Sequence, residues 1–202
     1  MAGSAVAMPW LGERSPAVLQ AWFPGEEGGN ALAHVLFGDE EPGGRLPLAF
    51  PRSAADLPPL DDYEVERGRT YRYAAARPLF PFGFGLGYTA FRYERLQLDR
   101  ERLAPGGTLR ALVRVANTGS RAGETVVQAY VAGPPGTGPA RLRAFRRARV
   151  DAGAAAEVAL EIRHADLAEG GPDLRERVTP GPYALRAGPD SSTGLLASFQ
   201  VD

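Results

Sequence analysis

The residue types able to do chemistry in this 202-residue chain are few, and they are unevenly placed. Carboxylates fall in two groups: the adjacent Glu26 and Glu27, and the loop set Asp61, Asp62, Glu64 and Glu66. Two carboxyl groups can run acid–base or nucleophilic chemistry if they face one another across the reacting bond. Neighbouring side chains at a helix start diverge, so Glu26 and Glu27 are expected to favour the helix N-terminus instead. The Asp61–Glu66 group is expected to be a solvated loop. Just beyond it, Gly68–Tyr73 (GRTYRY) combines guanidinium groups, which grip carboxylates in two-pronged bonds, with phenol rings that stack on sugars. Arg69, Tyr71 and Arg72 are therefore the candidate substrate-facing residues, the competing reading being that they tie the loop down.

Other chemistries lack material. The chain has no cysteine, so disulfides, thiolate metal sites and cysteine nucleophiles are excluded. All 23 cationic side chains are arginine, which removes Schiff-base lysine chemistry. His34 and His164 are the only histidines and read as surface or satisfied groups rather than ligands. With a net charge of −1 there is no basic field for a nucleic acid or an anionic membrane surface. The arginines at 141, 143, 146, 147 and 149 read as a solvated strand face or a domain contact. The first 23 residues have neither a basic start nor a continuous apolar core, which argues against a signal peptide or membrane span and for a cytoplasmic setting.

The elements that must position these residues change character near residue 90. Before it, strand-like and helix-like patterns alternate, as in an α/β layer. Ala5–Met8 reads as a short strand ended by Pro9. Ser15-Pro16 reads as the cap and first turn of a helix running through Trp22, and Asn30–Phe37 as a second helix ended by Gly38. Arg45–Phe50 reads as another strand, and residues 51–77 as a long surface loop. Trp10 and Trp22 are expected in the core of this layer.

From Phe91 on, period-2 runs recur between turn signals: Phe91–Leu98, Thr108–Ala116, Thr125–Ala132, Arg141–Val150, Ala155–Arg163, Tyr183–Ala187 and Leu195–Val201. About seven alternating strands with regular turns predict an immunoglobulin-like sandwich. Its aromatics Tyr130, Phe145, Tyr183 and Phe199 are expected to be buried. The fold class is thus an incomplete α/β segment over residues 1–90 followed by an all-β sandwich over 91–202.

Five collinear blocks resemble the C-terminal part of family 3 glycoside hydrolases, the β-glucosidase and β-xylosidase family. They are AWFPGEEGG at 21–29, PGGRLP at 42–47, PLFPFGFGLGYTAF at 78–91, the NTG…GETVVQAYV stretch at 117–131, and PGPY at 180–183. The last two are similar to that family's fibronectin type III-like module. GRTYRY resembles a block of its β-xylosidase-like members. The resemblance implies hydrolysis of terminal β-linked sugars by the complete enzyme, with no metal or other cofactor. It also implies a nucleophilic aspartate on an N-terminal barrel and an acid/base carboxylate upstream of the AWFPGEEGG block. This sequence starts about 20 residues before that block, so no catalytic residue is expected within it. The implied partners are the barrel and the rest of the α/β sandwich, in the same or a separate chain, and an oligosaccharide or glycoside substrate. A free-standing fibronectin type III-like interaction or carbohydrate-binding module, or one chain of a split enzyme, are the alternatives.

Overall fold

The computed structural model describes residues 2–171 and 173–202. These form two compact units, Met1–Gly85 and Leu86–Asp202.

The first unit is held by short helices and aromatic contacts. Helix α1 spans Pro9–Arg14 and α2 spans Gly28–Phe37; a single 3₁₀ turn covers Ala54–Asp56, and one turn of helix, α3, covers Thr70–Tyr73. The expected helix after Ser15 does not form. Its initiation signal, a proline in the first turn, operates instead at Pro9, and Ser15 terminates α1 with extended backbone. Ala5–Met8, expected as a strand, carries no ladder. A short apolar run becomes a strand or helix only where something packs on it, and Val18 and Leu19 remain exposed. The expected strand at Arg45–Phe50 is reduced to one antiparallel bridge, Phe50 to Phe80. Pro47 and Pro51 have no N–H to donate, so the ladder cannot extend.

Helix α2 does form, two residues longer at its start than expected. It ends at Gly38, whose φ of 83° is the left-handed cap that glycine adopts freely. Within it only Gly28 is buried, and Phe37 is 86% exposed. The unit's one fully buried large side chain is Phe50, which meets Trp22 and Phe80 edge-on at 6.1 and 6.3 Å. Phe80 in turn stacks on Phe84 at 5.3 Å. The aromatic–glycine run thus supplies the spine of this unit, and Gly85 lets it approach closely: a Cβ there would lie 2.5 Å from the Gly44 carbonyl oxygen. Trp10, expected in the core, is 64% exposed beneath the Arg14 guanidinium.

The second unit is the sandwich that the alternation predicts. Its strands are β1 (Phe91–Leu98), β2 (Arg102–Leu103), β3 (Thr108–Asn117), β4 (Gly123–Ala132), β5 (Arg141–Val150), β6 (Ala155–Arg163), β7 (Glu169–Gly170), β8 (Glu176–Arg177), β9 (Gly181–Gly188) and β10 (Leu195–Val201). One sheet has the order β1-β3-β6 and the other β2-β10-β9-β4-β5, with β7-β8 as a small ribbon. Inward positions interleave Leu109, Val113 and Val115 of β3 with Val127 and Val131 of β4, Leu160 and Ile162 of β6, and Leu185 of β9. At the β1–β3 corner Asn117 is 2% exposed and fully bonded. Its amide donates to the Val150 and Arg121 carbonyls at 2.9 and 2.7 Å, and its oxygen accepts from Thr89 Oγ1 and Gly119 N–H.

Of the four aromatics expected inside, Tyr130, Tyr183 and Phe199 are buried, but Phe145 is 68% exposed. The β4–β5 register shifts at Arg143, between the Tyr130–Leu142 and Ala129–Ala144 pairs, after which Ala144, Ala148 and Val150 take the inward positions. Phe145 therefore points to the opposite face.

Candidate functional site

The GRTYRY block lies where a loop turns into a helix. Arg69 is extended and Thr70 opens α3 with φ of 62°, in the left-handed region a β-branched residue rarely adopts. Such backbone costs roughly 1–3 kcal/mol and is held only by surrounding contacts. Arg69 provides them. Its Nε donates to the Asp62 carbonyl at 2.6 Å and its Nη2 to the Pro59 carbonyl at 2.7 Å, while its N–H reaches Val65 O at 3.0 Å. Of the loop's carboxylates, Asp61, Glu64 and Glu66 are exposed as expected, while the half-buried Asp62 accepts from Glu64 N–H at 3.0 Å and lies 3.6 Å from Arg67.

Past this anchor, the Tyr71 ring stacks on Phe82, and Arg72 places its guanidinium over Tyr73 at 5.1 Å. Arg69 and Tyr71 line a cleft of about 490 Å³ whose other walls are mostly apolar, including Pro47, Leu57, Pro58 and Phe82. Arg72 is not among its lining residues. The cleft is within the usual size of a small-ligand site. One carboxylate, Asp56, reaches it among the described residues, and this side chain caps the Ala54–Asp56 turn by accepting from Ser53 N–H at 2.9 Å. The arrangement offers walls and a stacked ring, with no second carboxylate beside the first.

The sequence pointed to Arg69 and Tyr71 but not to the proline-rich wall or to Phe82. The position of Phe82 in the glycine–aromatic run was the available signal. The remaining candidates lie apart from any such grouping. Glu26 is exposed, and Glu27 begins α2 and accepts from Asn30 Nδ2 at 2.6 Å. His34 is exposed and pairs with Asp39 at 3.2 Å. His164 opens a single 3₁₀ turn after β6, its N–H bonded to Gly107 O. Among the described residues no group of three or more His, Cys, Asp or Glu could hold a metal ion, and no helix is long and apolar enough to cross a membrane.

Electrostatic perturbation is found on the sandwich. Hydrogen bonds from Arg92, and then Arg114, hold the Glu94 carboxyl below the usual range, as the Arg163 side chain does for Asp166 and Arg177 for Asp173. Burial raises the Tyr183 phenol, whose O–H donates to Thr179 O at 2.9 Å. These are structural pairs on strand faces and turns.

Residues 1–88 match the family model described as the glycosyl hydrolase family 3 C-terminal domain, and residues 125–191 match the fibronectin type III-like domain. A β-glucosidase of Rhizobium radiobacter is 42% identical over 91% of this chain, and a β-xylosidase of Formosa agariphila 34% identical over 98%. The chain spans 25% and 28% of the length of those two relatives. Among solved structures, β-glucosidase 3B from Thermotoga neapolitana in complex with glucose superposes with a TM-score of 0.86 at 34% identity, over 98% of this chain and 30% of that one.

Proposed function

The chain belongs to glycoside hydrolase family 3, and on that premise we propose that it forms the C-terminal part of an enzyme hydrolysing terminal β-linked sugars. The observation that carries this reading is the match of nearly the whole chain to a quarter of the length of a β-glucosidase and a β-xylosidase. In this role the sandwich braces the enzyme, and the first unit contributes the rim of the substrate site through the Gly68–Tyr73 block. Tyr71 supplies a wall, and Arg69 fixes the loop that carries it. Bond cleavage belongs to a carboxylate pair outside this chain.

The test is turnover of aryl β-glucosides and β-xylosides. The pure 202-residue protein is expected to be inactive. Replacing the matching quarter of the Rhizobium radiobacter β-glucosidase with this chain is expected to give an active hybrid. Turnover by the chain alone, abolished by substituting one of its own carboxylates, would refute the reading.

A further inference from the structure

The two sheets of the sandwich present opposite kinds of outer surface. On the three-stranded sheet the charges answer one another. Glu94 binds Arg92 and Arg114, Arg95 binds Glu157 at 2.9 Å, and Arg110 binds Glu161 at 3.1 Å. Arg114 lies opposite Glu157 and Arg110 opposite Glu161 in the strand register. A face whose charges are internally matched suits contact with water.

On the five-stranded sheet, β5 is the edge strand and displays Phe145, Arg147 and Arg149 along one side. Arg147 is paired with Glu124 at 2.9 Å. Arg149, opposite Glu124 in the register, has no ion pair among the described residues. Arg146 falls on the other side of β5, with Ala144 and Ala148, and reaches the Ala159 carbonyl of β6 at 3.4 Å. An exposed phenylalanine beside Arg147 and Arg149 has the composition of an interface centre, where aromatic residues and arginine are enriched. Chains of this length, matched over nearly their whole extent, fill only a quarter of their relatives. Those relatives carry about three quarters of their length beyond the part that this chain matches.

We infer that the Phe145 side of β5 is the seat of the polypeptide forming the remaining three quarters of a family 3 glycosidase, which offers an apolar socket rimmed by carboxylates. The inference rests on the proposed function. Phe145 fills the socket, and Arg149 completes its pairing there. A truncated or charged side chain at 145 weakens that seating without touching the sandwich core, because the ring contributes nothing to it.

The absence of cysteine provides a direct test, since Phe145→Cys introduces the chain's single thiol. Labelling of residue 145 by a maleimide is followed by peptide mass spectrometry, in the 202-residue chain and in the hybrid built on the Rhizobium radiobacter enzyme. Arg110→Cys, on the charge-matched face, serves as the control. Residue 145 is expected to label as fast as residue 110 in the chain alone. It should become at least about tenfold slower in the hybrid, with residue 110 unchanged. Equal labelling of 145 in both proteins, with the hybrid active, overturns the docking site and leaves the proposed function standing. An inactive hybrid overturns both. Slow labelling of 145 in the chain alone, accompanied by dimers in sedimentation, also overturns the inference by making a second copy the occupant.

Discussion

The ring of Tyr71 lies on that of Phe82 with centroids 4.4 Å apart and planes inclined by 16°. This joins the strained start of α3 to the glycine–aromatic run and makes one wall of the cleft from two segments distant in sequence. Tyr71→Ala removes that wall. It is expected to destabilise the first unit by about 1–3 kcal/mol, the combined loss of stacking and burial. Tyr71→Phe should be close to neutral for stability. Denaturant unfolding of both variants checks this, and equal loss in the two would assign the effect to the hydroxyl.

Arg69 closes its loop through two carbonyl oxygens, at Asp62 and Pro59. Arg69→Ala should release residues 59–69. Hydrogen bonds from a charged donor are worth about 1.5–3 kcal/mol each before relaxation. Limited proteolysis is expected to cut the variant in this stretch several-fold faster, with the melting of the sandwich unchanged. Unaltered cleavage would show that the loop is held by other means.

Asn117 satisfies both its donor and its acceptor capacity in a buried corner. Asn117→Ala removes a partner from two carbonyls, the Thr89 hydroxyl and the Gly119 N–H, and should cost about 2–4 kcal/mol. Asn117→Asp should be no milder, because it sets a carboxylate oxygen against the Val150 and Arg121 carbonyls. Thermal melting of the sandwich reads both. Loss below about 1 kcal/mol in each would mean that water or rotation repairs the site.

The carboxyls of Glu94, Asp166 and Asp173 titrate lower in the folded chain than in the unfolded one. The unfolded state therefore binds more protons in the acid range, and stability declines as pH falls. It is complete above the ordinary carboxyl value of about 4 and is lost progressively below it. Asp166→Asn should lower the melting temperature at pH 7, and the gap to the parent should narrow as the pH falls below the ordinary carboxyl range towards the lowered Asp166 value. Parallel curves across that range would contradict the assignment.

The two units should also differ in amide exchange. Helix α2 buries only Gly28, and a ten-residue helix has little stability of its own. In the isolated chain residues 2–60 are expected to exchange orders of magnitude faster than β3, β4 and β6. Uniformly slow exchange in a monomer would contradict this.

Much of the sandwich was legible because strand alternation is a local property. Phe91–Leu98, Arg141–Val150, Ala155–Arg163 and Leu195–Val201 begin and end where the pattern does. The α2 helix was legible for the same reason, from its apolar spacing and Gly38. The first unit was less so. Ala17–Trp22 and Arg45–Phe50 have the composition of packed elements, but whether they become so depends on a covering surface that their own sequence does not encode. Phe145 was misread because a one-residue shift in the β4–β5 register decides which side of the sheet it occupies. At the candidate site Arg69 and Tyr71 could be named from residue type alone. That Arg69 turns back onto carbonyls rather than into the cleft depends on the backbone at Thr70, which no side-chain pattern reveals.

The matched charges on the three-stranded sheet have a consequence for alkaline conditions. Every cation in that array is a guanidinium, which keeps its proton far beyond the range where an ammonium would lose it. The acid side is where the array gives way at Glu94, whose carboxyl Arg92 and Arg114 hold below the usual range. The surface is built to tolerate bases better than acids.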